Sequence, residues 1–507
     1  MRADMDFLSP VIAGFGVVFQ PENLFYCLLG VTLGMLIGVL PGLGPAATIA
    51  VLLPITYNIE PTAAIIMLAG IFYGAQYGGT ITSVLLRLPG EASSVVTAID
   101  GHALARQGRA GSALGIAAIG SFIGGTVAII GLTFVAPLVA GFALDFGPSE
   151  YTALALLGIL LITTLGTGSP LKSILMATVG LLLATIGQDP LEGVSRLTFG
   201  VDQLLDGIDF VIVAMGLFGV GEILYNLESL RKPAEPAAAV GSVYPSRAEL
   251  RESKGAITRG SVLGFLLGIL PGGGATMSSM VAYAVEKRAS KQPEKFGKGA
   301  IQGVAGPETA NNAAATSSFI PLLTLGIPAN ATMAIMFGAL LIQGITPGPA
   351  LVAEKPDLFW GVVNSMYVGN LLLLAMSMPL IGVFVRILRV RQAILAPLTI
   401  LVTMIGVYTV RMSVFDMFIM VGLGVVGYLM KKAGFEPGPL VLAFVLGGLL
   451  ESSFRRSMRI FGGDVTGFLT QPITATLLAV IVLIVVVPPV LRLSKRKRQR
   501  QEENVAA

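Results

Sequence analysis

The stretch Asn311-Asn312-Ala313-Ala314-Ala315-Thr316-Ser317-Ser318, running through Pro321 to Gly326-Ile327-Pro328-Ala329-Asn330-Ala331-Thr332, decides how the rest of the chain is read. It is rich in amides and hydroxyls and carries no Lys, Arg, Asp or Glu, yet apolar runs flank it. A surface loop does not fit that setting. Two small-residue helical segments meeting at Gly326-Ile327-Pro328 are expected to form a hairpin, because Pro blocks a regular helix and Gly allows the tight turn. Backbone freed at membrane depth is tolerated only where it is buried in protein or lines a watery cavity. Broken helices of that kind build ion and anion sites in transporters. The alternative is a small-residue seam for helix packing.

Composition sets the class. The chain has 507 residues, 54% hydrophobic and 12% charged, with a mean hydropathy of +0.82. Soluble domains carry about 25% charged residues. The expectation is an all-α polytopic membrane protein with about 10–13 hydrophobic segments of about 20 residues each. The 63 glycines and 29 prolines suit helices that pack closely and break often. Cys27 and His102 are each the sole residue of their type, which excludes intramolecular disulfides and cysteine clusters and argues against histidine metal sites. The basic run Arg492 to Arg500 reads as a cytoplasmic tail at the lipid surface, not a nucleic-acid patch. No cleaved signal peptide is expected in the first twenty residues.

The chain divides into an N-terminal transmembrane repeat (1–228), a Pro-rich charged linker (229–255), a C-terminal transmembrane repeat (256–493) and a basic tail (494–507). Gly38-Val-Leu-Pro41-Gly-Leu-Gly44 matches Gly268-Ile-Leu-Pro271-Gly-Gly-Gly274. Leu86-Arg-Leu-Pro89-Gly-Glu-Ala-Ser93 matches Leu325-Gly-Ile-Pro328-Ala-Asn-Ala-Thr332, and Gly187-Gln-Asp-Pro190 matches Gly434-Phe-Glu-Pro437. Three matches in one order point to a duplication. Matching loops carry opposite charge bias: acidic residues 145–150 oppose Arg386, Arg389 and Arg391, and the acidic stretch after Gly187 opposes Lys431-Lys432. By the positive-inside rule the repeats are inverted. The net basic linker and Arg455, Arg456 and Arg459 resist a simple count of crossings.

Each half offers a Pro-Gly-x-Gly break and a Pro-centred hairpin. Exposed amides at a helix start favour anions, and carbonyls at a helix end favour cations. The ion-binding candidates are Gly42, Gly44, Thr48, Gly272, Gly274, Thr276 and Glu308. The substrate candidates are Thr82, Ser83, Arg87, Gly90, Ser93 and Ser94 in one half. In the other they are Asn311, Asn312, Thr316, Ser317, Asn330 and Thr332. Neutral oxygens suit Na+ and carboxylates without fixing a large charge in lipid. Arg87 and Glu91 either pair with each other or leave Arg87 to hold an anionic substrate. Glu308 either binds a cation or proton or serves a helix dipole. His102 and Trp360 read as interfacial residues. Pro271-Gly-Gly-Gly-Ala-Thr lacks the Lys-Ser/Thr of a phosphate loop. No catalytic set and no cofactor are expected, beyond Na+ as a coupling ion.

Together these features resemble the large membrane subunit of the tripartite tricarboxylate transporters. The resemblance rests on Gly38 to Pro45, on Tyr73-Gly-Ala-Gln-Tyr-Gly-Gly-Thr-Ile-Thr-Ser83 into Pro89-Gly90-Glu91, and on Gly268 to Gly274. It continues in Pro307-Glu308-Thr-Ala-Asn311-Asn312, Leu325 to Pro328 and Ile345-Thr-Pro-Gly-Pro349. It implies a secondary transporter of the bacterial inner membrane, with a small four-helix membrane subunit and a periplasmic solute-binding protein as partners. It also implies uptake of citrate or related carboxylates driven by an ion gradient. Each charge moved across 100 mV is worth about 2.3 kcal/mol, so a trianion entering against an inside-negative potential costs roughly 7 kcal/mol per 100 mV. Cation symport follows, with Na+ favoured over H+, and by analogy the paired hairpins move elevator-fashion. A channel or scaffold subunit and an intramembrane hydrolase are the competing classes.

Overall fold

The computed structural model describes residues 3–40, 44–88, 90–165, 169–189, 191–229, 240–387 and 392–487. The tail 494–507, most of the Pro-rich linker, and the site candidate Gly42 lie outside these residues. The first half contains α1 (Ala3–Val18), α2 (Pro21–Gly38), α3 (Pro45–Leu52), α4 (Pro61–Leu86), α5 (Thr97–Arg106), α6 (Ala110–Ala143), α7 (Pro148–Leu165) and α8 (Pro170–Ala184). A two-residue hairpin follows, β1 (Gly187–Gln188) with β2 (Ser195–Arg196), then α9 (Phe210–Ala214), a π turn (Met215–Val220) and α10 (Gly221–Ser229). The second half contains α11 (Arg247–Ile269), α12 (Gly274–Ala289), α13 (Gln302–Ser317), α14 (Phe319–Leu325), α15 (Ala331–Ile342), α16 (Pro349–Glu354) and α17 (Pro356–Ser377). It closes with α18 (Ile381–Ile387), α19 (Gln392–Arg411), α20 (Val414–Lys432), α21 (Gly438–Ile460), α22 (Gly467–Thr470) and a last apolar helix, α23 (Pro472–Val487). Among the described residues seven helices are long and apolar enough to cross a membrane, and shorter apolar helices accompany them. The all-α polytopic expectation therefore holds.

Helix α4 is the centre of the molecule. It runs 26 residues, or about 39 Å at 1.5 Å per residue. Its membrane-length window is wholly buried inside the protein. A helix that is apolar all round belongs in such a core. Glycines set how closely its neighbour approaches. A Cβ on Gly30, Gly34 or Gly38 of α2 would lie 2.2, 2.5 or 2.4 Å from the carbonyl oxygens of Met67, Ile71 and Ala75 on α4. The second half repeats this seam. A Cβ on Gly260, Gly264 or Gly268 of α11 would lie 2.6, 2.3 or 2.4 Å from the carbonyl oxygens of Gly306, Ala310 and Ala314 on α13. Both seams follow an i, i+4, i+8 glycine pattern.

The halves interlock. α8 packs on α21, and α20 packs on the π turn and α10. α6 of the first half packs on α11 and α13, while α17 of the second packs on α2 and α4. Helix α11 starts at Arg247, behind a Ser246–Glu249 capping box, so a helix begins inside the stretch read as linker. Residues 240–245 lie against Gly111 and Gly115 of α6. Three basic stretches share that face: Gln107 donates to the Lys298 carbonyl at 2.8 Å, Arg109 pairs with Glu249 at 2.7 Å, and Gln302 donates to Glu252 at 2.9 Å.

Arg455, which fitted the crossing count poorly, is bound by acids. It pairs with Asp189 and Glu192 of the hairpin segment, each at 2.6 Å, and holds the Asp189 carboxyl down at about 2. It is a clasp between the halves. Trp360 is buried beside α1, edge-on to Phe359, and is no interfacial anchor within this chain. His102 is also buried, with Nδ1 3.2 Å from the Val84 carbonyl.

Candidate functional site

The two hairpins match at the two backbone positions that bound them. Arg87 ends α4 in the left-handed region (φ 56°, ψ 22°), and Gly326 ends α14 there too (φ 68°, ψ 28°). Four residues later Glu91 (φ −146°, ψ 166°) and Asn330 (φ −155°, ψ 175°) are both extended and both begin the next helical turn. Each hairpin is tied to the break of its own half. Gly90 sits against the Gly38 carbonyl, where a Cβ would be 2.8 Å away. The Gly272 amide donates to the Ala329 carbonyl at 2.7 Å.

All four elements border one cavity of about 550 Å³. Its wall includes Gly44–Ala47 and Gly272–Met277 from the breaks, and Gly90–Ser93 and Asn330–Thr332 from the hairpins. Glu436–Pro439 at the start of α21 complete that wall, with Phe72, Gln76, Ile162, Phe218, Glu222 and Lys431. The volume lies within the ~300–1,000 Å³ of small-molecule sites.

Four helix starts and charged side chains of both signs, Glu91, Glu222, Glu436 and Lys431, shape the electrostatics of the wall. The first turns of α3, α12, α15 and α21 all border the cavity. Helix starts leave unpaired N–H groups and a partial positive charge. No side chain caps α3, α12 or α21. Only α15 is capped, by Asn330 accepting from the Met333 amide at 3.0 Å. Lys431 is the one basic side chain on the described wall. It is paired with Glu222, also on the wall, and lies 5.4 Å from the Tyr225 ring centroid.

The sequence candidates separate into three groups. Gly44, Gly90, Ser93, Gly272, Gly274, Thr276, Asn330 and Thr332 are on the wall. Asn311 and Glu308 lie behind it. Asn311 donates to Glu91 at 3.0 Å, and Glu308 accepts from Thr80 at 2.6 Å and Thr97 at 2.5 Å. The others are turned elsewhere. Asn312 donates to Ser121 of α6 at 2.7 Å. Thr82 and Ser83 bond to the Gly79 carbonyl, and Ser94 to Ser83 and the Glu91 carbonyl. Thr48 bonds to the Gly44 carbonyl and Ser317 to that of Ala314, while Thr316 is buried away from the wall. Arg87 is exposed and makes no ion pair among the described residues. Glu91 takes Ser93 and Asn311 instead of Arg87.

Helix α13, which carries the start of the opening stretch, has two distinct faces. Ala310 and Ala314 form the glycine seam, and Glu308 and Asn311 face the polar interior on another side of the same helix. Sequence reasoning missed Gln76, Phe218 and Glu222 and took Lys431 only as a topology marker. The available signal was an ionisable residue inside a membrane-length apolar segment.

A helical membrane protein whose broken helices close a cavity between two interlocked halves is built as secondary transporters are. Residues 24–442 match the Tripartite tricarboxylate transporter TctA family, and the chain belongs to that family. It is similar to an uncharacterised 52.8 kDa protein of the TAR-I ttuC' 3' region of Agrobacterium vitis, 50% identical over 94% of this chain and 95% of that one. It is also similar to an uncharacterised protein of the TAR-II ttuC' 3' region of the same organism, 52% identical over 43% of this chain and 90% of that one. No solved structure matches.

Proposed function

We propose that this protein is the large membrane subunit of a binding-protein-dependent secondary transporter that imports tricarboxylates such as citrate, or related carboxylates, by cation symport. The observation that carries this reading is the convergence of uncapped helix starts and Lys431 on one cavity. Several carboxylates of one substrate find separate donors there. The backbone amides supply attraction without a buried cluster of cations, so the loaded site remains light enough in charge to move through a bilayer.

In this reading the breaks that sequence reasoning gave to the ion serve the anion. The cation belongs with Glu91 on the wall and Glu308 behind it. Na+ is the favoured coupling ion, with H+ the alternative. The repeated seams and matching hairpins support two homologous repeats, and the opposite charge bias of matching loops supports their inversion. The chain sits in the bacterial inner membrane with its C-terminus in the cytoplasm. It works with a small four-helix membrane subunit and a periplasmic solute-binding protein.

Labelled citrate and a panel of carboxylates are offered to proteoliposomes holding this subunit and its small partner, with binding protein outside and a Na+ or H+ gradient imposed. Gradient-dependent accumulation that requires binding protein is expected. Accumulation without it, or of no carboxylate, overturns the reading.

A further inference from the structure

We infer that the node of Glu91, Glu308 and Asn311 seats a Na+ ion, one layer behind the anion cavity and shared by the two halves of the chain. The inference rests on the symport reading above and gives its coupling ion a place.

Glu91 stands on the cavity wall, and Glu308 is fully buried behind it. Every hydrogen-bond partner of these carboxylates is neutral: Ser93 and Asn311 for Glu91, Thr80 and Thr97 for Glu308. Neither makes an ion pair among the described residues. Buried carboxylates without a counter-charge are among the costliest features a fold can hold.

A second observation points to a ligand. Asn311 is fully buried, and its amide nitrogen is spent on Glu91 at 3.0 Å, but its Oδ1 has no donor. An acceptor oxygen beside a carboxylate, with no hydrogen to receive, is what a cation satisfies. Glu308 is three residues before Asn311 on α13, so the two share a helix face one turn apart. Carboxylate, hydroxyl and amide oxygens are hard donors, and no group of three or more His, Cys, Asp and Glu suited to a metal ion occurs among the described residues. That set suits Na+ and not a transition metal.

The arrangement couples the two ligands. An anion entering beside Glu91 raises the node's affinity for a cation, and by reciprocity the cation raises affinity for the anion.

The test uses the purified full-length protein in detergent. Its melting temperature is followed against NaCl, with choline chloride and KCl as controls, then repeated for Glu91→Gln, Glu308→Gln and Asn311→Ala. A saturable rise specific to Na+ is expected, with the half-saturating concentration shifted at least tenfold upward in each variant. Thr97→Val, which removes a single hydroxyl, gives a smaller shift and serves if a carboxylate variant does not fold. No Na+-specific rise in the wild type, or an unchanged Na+ response in the folded variants, overturns the inference. A response lost in the variants of a protein that moves no carboxylate would keep the cation site and remove the tricarboxylate reading.

Discussion

Lys431 and Arg87 show how little a charged residue's position in the sequence says about its task. Lys431 ends a membrane-length helix, yet its ammonium lies on the cavity wall, paired with Glu222. In the proposed transport cycle a substrate carboxylate would compete with Glu222 for it. Hydrogen bonds to charged groups contribute about 1.5–3 kcal/mol, and 1.4 kcal/mol is tenfold in affinity. Lys431→Gln is therefore expected to raise KM for uptake by about tenfold or more. Arg87 sits in the most conspicuous motif of the first half but is exposed, at the left-handed cap that Gly326 occupies in the second. An L-residue pays roughly 1–2 kcal/mol for that conformation. Arg87→Gly is expected to keep KM unchanged and to raise the melting temperature. A KM that rises with Arg87→Gly and not with Lys431→Gln would restore Arg87 as a substrate ligand.

Among the elements, the glycine seams set the spacing on which the site depends. α2 and α11 come close enough to α4 and α13 that a Cβ at Gly34 or Gly264 would fall 2.5 or 2.3 Å from a backbone carbonyl oxygen. Backbone cannot swing aside as a side chain can. Overpacking typically costs about 1–3 kcal/mol, and here the helix pair itself must separate. Gly34→Ala and Gly264→Ala are expected to lower the melting temperature by similar amounts, whereas Gly422→Ala, whose Cβ meets nothing within 4 Å, is expected to leave it unchanged. A large difference between Gly34→Ala and Gly264→Ala would argue against equivalent seams. The π turn at Met215–Val220 acts in the same way on a smaller scale. It sits in a membrane-length helix that places Phe218 and Glu222 on the cavity wall, and such turns recur at functional sites.

At the scale of the whole molecule, the cavity is built from both halves. The cavity takes a break and a hairpin from each, Asn311 of the second half donates to Glu91 of the first, and Glu308 of the second accepts from Thr80 and Thr97 of the first. Crossed packing of α8 on α21 and of α20 on α10 fixes the halves together, as does the Asp189–Arg455 clasp. A chain cut between residues 230 and 239, ahead of the segment that packs on α6 and of α11, is expected to transport when both pieces are co-expressed, and neither piece alone is expected to do so. Activity from one piece would place the site within a single half.

Much of this was legible without coordinates. Apolar composition with broken, glycine-rich segments determines a polytopic helical membrane protein, because lipid leaves the backbone no other way to satisfy itself. The paired motifs at Pro41 and Pro271, and at Pro89 and Pro328, located the cavity, since Gly and Pro dictate backbone locally. What only the tertiary structure decided was which polar side chain turns toward the cavity. Asn311 and Asn312 are adjacent in sequence and separated by about 100° around a helix, so one meets Glu91 and the other Ser121 of α6. Lys431 reaches the site of residues far from it in the chain. Those pairings depend on how distant helices are rotated and spaced against each other, which packing sets and no local pattern records.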